Sequence, residues 1–248
     1  MISVKNLYKS FGEKVVLNDV SADFKAGENN LVIGLSGSGK TVLMKCLVGL
    51  LKPERGQILF NNRDMVAMNA NEQSAIRQDI GMVFQGGALF DSLTVQENVV
   101  FPLDMYTDMT LDEKIARANF CLQRVNLENA NKLYPSELSG GMKKRVAIAR
   151  AIANNPKYLF CDEPNSGLDP RTSAVIDELI SEITKEYNMT TLINTHDMNS
   201  VLQIGDNVVF VYQGQLWWKG NKHDICETKN PELIEFLVAS ELTKRLIN

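Results

Sequence analysis

The sequence predicts an α/β fold: a parallel β-sheet flanked by helices, entered through an antiparallel β edge and interrupted by a helical subdomain insertion. Three patterns predict it. Short runs of β-forming residues, ISVKNLYKSF, VVLNDVSADF, LVIGL and GQILF, fill the first 60 residues. From about Gln85 to Asn155 the chain becomes helical and more polar. After Pro156 the β runs return as YLFCD, TTLINT and NVVFVY, the first two separated by the helix-like SAVIDELISEITKEY. Strands alternating with helices imply βαβ units and a parallel sheet.

Each element has a local reason. LVIGL precedes a glycine-rich stretch and the apolar helix TVLMKCLVGL, and Pro53 and Gly56 separate that helix from GQILF. Residues 110–126 carry Leu111, Ile115, Ala118, Phe120 and Leu122 at nearly helical spacing, which predicts a helix. Gln213 and Gly214 read as a hairpin turn after NVVFVY. The tail PELIEFLVASELTKRLIN reads as an amphipathic helix over about 231–246. No internal repeat or low-complexity segment breaks the chain. Residues 1–248 are therefore expected to form one α/β domain, with the helical subdomain at about 86–155.

Composition excludes several classes. Lys plus Arg total 26 against 30 for Asp plus Glu, a net charge of -4, so no basic surplus marks a nucleic-acid partner. The cluster Lys143, Lys144 and Arg145 is expected to be a solvated helix face. Four cysteines, at 46, 121, 161 and 226, form no CxxC pair, which argues against zinc and for a reducing compartment. The start MISVKNLYKS lacks the apolar core of a secretion signal. No run approaches the roughly 18–20 apolar residues of a membrane span. Any membrane role is expected to require another subunit.

Gly34, Leu35, Ser36, Gly37, Ser38, Gly39, Lys40 and Thr41 match the pattern G-x-x-x-x-G-K-[ST], with Val42 continuing into the helix. Glycines let successive backbone N–H groups turn around phosphate oxygens, where a Cβ would obstruct. Lys40 is expected to neutralise the outer phosphates of ATP and Thr41 to complete a Mg2+ shell. The following helix N-terminus adds free N–H groups and partial positive charge. The stretch therefore reads as the core of a P-loop NTPase.

YLFCD is an apolar run that ends in Asp162, Glu163 and Pro164. A buried strand ending in paired carboxylates points to a cation or reactant there. Asp162 is assigned to magnesium, and Glu163 to polarising the attacking water as general base. His196 follows TTLINT, at a strand end where ligands of open α/β sheets collect, and is assigned as a γ-phosphate sensor that donates a hydrogen bond. His223 has no such setting and is expected on the surface.

Ser139, Gly140 and Gly141, within LSGGM, open the helix-like MKKRVAIARAIANN and form a second candidate anion site. At this point the chain resembles the ABC-type ATPases over nearly its full length. The resemblance implies Phe11 as the aromatic that stacks on adenine. It implies Gln85 as the lobe-linking glutamine, placed with the magnesium and the catalytic groups. Ser166, Gly167, Leu168 and Asp169 would be the dimer-contact loop. It also implies a head-to-tail homodimer in which Ser139, Gly140 and Gly141 of one copy close over the ATP of the other.

The stretch GGALFDSLTVQENVVFPL, with Leu89, Phe90 and Leu93 crowding one surface, resembles together with LSGGMKKR the Mla-type phospholipid transport ATPases. That likeness implies a place on the cytoplasmic face of the inner membrane and partners of three kinds: an MlaE-like integral-membrane permease, a lipid-binding MCE protein and a small accessory subunit at the C-terminal helix. Met142 stands where glutamine is commoner, Phe11 where tyrosine is commoner, and Asn165 where threonine or phenylalanine is frequent. Trp217 and Trp218 are expected to split between core and surface. Two other classes share the motifs: an ATPase subunit for another solute, and a non-transport ABC ATPase acting on DNA or ribosomes. The latter usually carry paired ATPase units, coiled-coil inserts or basic patches.

Overall fold

Alternation inside the short apolar strands sets the architecture of the computed structural model, which describes residues 1–239. The strands are β1 (Ile2–Phe11), β2 (Lys14–Phe24), β3 (Asn29–Ile33), β4 (Arg55–Phe60), β5 (Arg63–Asp64), β6 (Ile80–Val83), β7 (Tyr158–Asp162), β8 (Thr190–Asn194), β9 (Asn207–Tyr212) and β10 (Gln215–Gly220). The helices are α1 (Lys40–Leu47), α2 (Ala70–Gln78), α3 (Val95–Tyr106), α4 (Leu111–Arg124), α5 (Gly140–Ile152), α6 (Pro170–Glu186), α7 (Met198–Ile204) and α8 (Pro231–Ala239). A six-stranded sheet runs in the order β10-β9-β3-β8-β7-β6, with β3, β6, β7, β8 and β9 parallel and β10 antiparallel. A four-stranded antiparallel sheet, β2-β1-β4-β5, forms the expected edge.

The period of two feeds two separate cores. Leu31, Ile33, Leu159, Cys161, Ile193, Val208 and Phe210 point into a core shared with α3 to α8. Their neighbours Val32, Tyr158, Phe160, Leu192, Val209 and Val211 point into a core shared with α1 and the antiparallel sheet. A strand buried on both faces must be apolar throughout, which is why YLFCD and NVVFVY carry no polar alternation.

The helical subdomain starts its helices sharply. Thr94 with Glu97, and Thr110 with Glu113, form reciprocal capping boxes at α3 and α4. Asn98 on α3 is fully buried and pins the preceding loop: its Oδ1 accepts from the Phe90 N–H at 2.8 Å. Its amide donates to the carbonyls of Phe90, Leu93 and Thr94 at 3.0–3.1 Å.

One expectation changes and two helices gain detail. In α4 the buried face is Ala118, Cys121 and Leu122, whereas Leu111 is 68% and Phe120 45% exposed. Small residues let α4 approach its neighbours, and Phe120 instead lies under Arg117, whose guanidinium sits 5.0 Å from the ring centroid. The Lys143, Lys144 and Arg145 cluster is not a solvated face, because Lys144 is buried at 5% exposure. The C-terminal helix runs over Pro231–Ala239 and buries Leu233 and Phe236, with Phe236 against Phe210 at 5.4 Å. The remainder of the expected 231–246 helix lies outside the described residues.

Trp217 is 43% exposed and donates to Glu232 at 2.9 Å, while Trp218 packs against the core. Cys46, Cys121 and Cys161 are buried free thiols and Cys226 is an exposed one. Among the described residues no helix is long and apolar enough to cross a membrane.

Candidate functional site

Five strands deliver their carboxyl ends to one region. β3 leads into Gly34, β6 into the loop that carries Gln85, β7 ends at Asp162 with Glu163 next, β8 leads to His196, and β9 to the turn Gln213–Gly214. Loops leaving the same edge of a parallel sheet create a crevice there. Here it is a cavity of about 920 Å³. Its walls include Gly34 to Gly37, Gly39 to Val42, Gln85, Glu163 and His196, with Phe11 at the rim.

The glycines of the loop have distinct reasons. A Cβ on Gly34 would stand 2.3 Å from the Val211 carbonyl oxygen, and one on Gly39 2.9 Å from that of Val16. Gly37 would meet nothing within 4 Å, so obstruction does not explain it; its φ of +81° does. Gly39 caps α1 without a side-chain bond, so the first N–H groups of that helix have no side-chain partner. Lys40 is buried at 8% exposure, and its ammonium donates to the carbonyls of Gly34 at 2.7 Å and Leu35 at 3.1 Å. Burial lowers the Lys40 pKa, opposed by the charges of Glu163 and Asp162. The Ser38 hydroxyl is buried with no hydrogen-bond partner. An orphaned donor beside a glycine cradle and a buried ammonium suits a polyphosphate.

The acidic end of β7 splits in two directions. Asp162 accepts a hydrogen bond from Asn194 at 3.0 Å and is not among the residues that line the cavity. Glu163 faces the cavity and its Oε2 lies 2.8 Å from His196 Nδ1, joining two residues the sequence treats separately. A neutral imidazole donating from Nδ1 presents an acceptor at Nε2; both nitrogens donate only as imidazolium. Glu163 adopts a left-handed φ of +48°, uncommon for a non-glycine residue. Gln85 enters the cavity wall, and its amide donates to the Ser166 hydroxyl at 3.1 Å. Thr41, Gln85 and Asp162 supply the hard oxygen donors that magnesium takes, and the fit to that ion is chemical.

Behind these groups sits a polar support absent from the motif reading. Asn165 donates to Asp177 at 2.7 Å and to the Ser200 hydroxyl at 3.1 Å. Asp177 is 1% exposed, and burial pushes its pKa up to about 6.

Ser139, Gly140 and Gly141 are not among the residues that line this cavity. Ser139 caps α5, accepting from the Met142 N–H at 3.3 Å, and is exposed with Gly140. Their neighbours are on the loop after Glu163 and the first turn of α6: a Cβ on Gly140 would meet Leu168 at 3.4 Å and one on Gly141 would meet Thr172 at 2.7 Å. The residue that sequence reasoning missed lies one turn further along α5. The Lys144 ammonium donates to the Gln85 carbonyl and lies 3.5 Å from the Glu163 carbonyl oxygen. Burial lowers its pKa, against the pull of Cys161 and Glu163. Helical periodicity places Lys144 on the same face as Ala147, Ile148 and Ala151, all buried, which is the signal that was available.

A glycine cradle between a central parallel strand and a helix, facing Glu163 and His196 across a crevice, defines a P-loop NTPase of the α/β class. The chain belongs to the ABC transporter family, whose model matches residues 17–166, and it is an ATPase of that family. It is 39% identical over 236 residues to the probable ribonucleotide transport ATP-binding protein Mkl of Mycobacterium leprae, covering 95% of this chain and 68% of that one. It is 36% identical over 239 residues to the intermembrane phospholipid transport system ATP-binding protein MlaF of Haemophilus influenzae, covering 96% and 90%. The dimeric post-hydrolysis structure of the ATP-binding cassette MJ0796 with ADP and Pi matches with a TM-score of 0.80 at 35% identity, covering 90% of this chain and 99% of that one.

Proposed function

We propose that two copies of this chain form a head-to-tail dimer that encloses two ATP molecules and drives phospholipid transport through a membrane permease. The observation carrying the composite site is the separation of Ser139, Gly140 and Gly141 from the cavity that holds Lys40 and Glu163. An exposed helix N-terminus next to the 166–169 loop is an anion site without an anion of its own chain. A second copy would bring it over the open side of the cavity. The dimeric MJ0796 cassette, with its ADP and Pi, supports that arrangement.

Within the site, Phe11 is 49% exposed at the rim, available to stack on adenine in place of a tyrosine, without the hydroxyl. Gly34 to Val42, including Leu35, Ser36 and Ser38, wrap the phosphates, and Lys40 exchanges its loop carbonyls for phosphate oxygens. Thr41, Gln85 and Asp162 would hold magnesium, which when bound neutralises phosphate charge. Glu163 takes a proton from the attacking water. His196 donates from Nδ1 to Glu163, orienting that carboxylate, and would contact the γ-phosphate through Nε2 in its imidazolium form. Closure by the partner's donors excludes water and strengthens these contacts.

Phospholipid as cargo is supported by the GGALFDSLTVQENVVFPL pattern and by the MlaF relative, which this chain matches over nearly its whole length. In that reading Phe90, 41% exposed after the Gln85 loop, contributes to the surface that receives an MlaE-like permease on the cytoplasmic face of the inner membrane. An MCE protein would carry the lipid, and an accessory subunit would meet the C-terminal helix. The Mkl relative favours a second reading, transport of another solute such as a nucleotide. Purification from detergent-solubilised membranes decides between them. Co-purifying permease with bound glycerophospholipid, detected by mass spectrometry, supports the first reading; a permease without lipid that retains a polar solute overturns it. Ribosomal or DNA partners without a permease would exclude both.

A further inference from the structure

Lys144 presents a buried cation with no carboxylate bonded to it among the described residues. A buried ammonium is costly unless its protons are satisfied, so its acceptors are informative. They are main-chain carbonyls from two different segments: Gln85, after β6, and Glu163, after β7. Lys144 itself belongs to α5, the helix that Ser139 caps. Further along that helix Arg150 donates to the carbonyls of Ala88 at 2.7 Å and Gly87 at 2.8 Å. The helix therefore grips the 85–88 loop at two points, and through Lys144 the grip extends to Glu163.

The Glu163 backbone has reason to need it. Its φ of +48° is an unfavourable conformation for a side chain of that size and persists only where the surroundings hold it. Its N–H donates to the Asn194 carbonyl at 3.0 Å, and its carbonyl accepts from the Ser166 N–H at 3.2 Å. The Lys144 ammonium is the contact that links this residue to α5.

We propose that Lys144 is a positioning residue: it fixes the left-handed backbone of Glu163, and so the aim of its carboxylate, and couples it to the Gln85 loop and the helix behind Ser139. Motion of that helix then reaches the base and Gln85 together. The inference rests on Glu163 being the general base.

The test uses the full chain, with ATP turnover and equilibrium ATP binding measured on each variant. Lys144→Met is expected to lower kcat by about tenfold or more while ATP affinity stays within about twofold. Lys144→Arg, which keeps a cation able to reach both carbonyls, is expected to restore kcat to within about threefold of the parent. Added to Glu163→Gln, Lys144→Met is expected to cause no further loss beyond about twofold, because residues acting as a unit are not additive. Should Lys144→Met not fold, Lys144→Gln carries the same expectation with a neutral donor. An unchanged kcat, an equal loss of ATP affinity, or an arginine variant no better than methionine overturns the proposal. Normal turnover in Glu163→Gln alone would instead overturn the base assignment beneath it.

Discussion

Asp177→Asn should flatten the pH dependence of stability between about pH 4 and pH 6. Asp177 is 1% exposed on α6 and accepts from Asn165 at 2.7 Å. Burial raises its pKa from 3.8 to about 6; bonds from Ser200 and Asn165 pull it down, and the Asp197 charge adds to the rise. In the unfolded chain the carboxyl returns to its ordinary value. The folded state therefore binds the proton more tightly, and stability falls as pH rises through this window. Below it the group is protonated in both states and costs nothing; above it both are ionised and the full cost applies. A rise of about two units at about 1.4 kcal/mol each gives about 3 kcal/mol. Asparagine keeps the shape and an acceptor for Asn165 but never ionises. Urea unfolding at pH 4 and pH 7 reads the effect directly. The stability of the variant relative to the parent should improve by about 2 kcal/mol between those two values, because at pH 4 the unfolded carboxyl is already partly ionised. Parallel curves for the two proteins would mean that Asp177 is not buried as a carboxyl that resists ionisation.

Other expectations follow from the same contacts. Glu163→Gln should retain ATP, accumulate ATP-dependent dimers and lose roughly 10²-fold or more in turnover, measured by phosphate release. Ser139→Arg should bind ATP as the parent does and fail to dimerise with it, read by light scattering; normal dimers would disprove the composite site. Asn98→Ala leaves the Leu93 carbonyl and the Phe90 N–H without their side-chain partner and removes the second donor from the Phe90 and Thr94 carbonyls, and should cost about 2–3 kcal/mol in a urea melt.

The parts of the site that were legible in the sequence are local. The phosphate loop needs left-handed glycines and a lysine at fixed offsets on contiguous residues, so spacing alone announces it. The acids ending YLFCD stand out because they interrupt an otherwise apolar buried strand. What stayed hidden depends on long-range placement. The contact of His196 with Glu163 joins the ends of two strands, and nothing in either segment encodes it. Lys144 looks solvated because it sits between a lysine and an arginine, yet its helix turns it inward to carbonyls from two other elements. β6 and α2 are hard to read for opposite reasons: the first is four residues with a glycine, the second is polar with Ile76 its buried residue. In α4 the apolar spacing marks the helix, but Ala118, Cys121 and Leu122 form its packed face while Leu111 and Phe120 stay exposed.

Mixing two inactive variants tests the shared pocket most directly. Lys40→Ala removes the phosphate lysine of its own chain, and Ser139→Arg blocks the donors offered to the other chain. In a mixed dimer one pocket collects both defects and the other collects none. Each mixed dimer holds one intact pocket of two, so an equal mixture should recover ATPase activity that neither variant shows alone, up to about half of the parental value where every dimer is mixed. A mixture in which mixed dimers form yet hydrolyse no more ATP than either variant alone would show that each chain builds its pocket by itself.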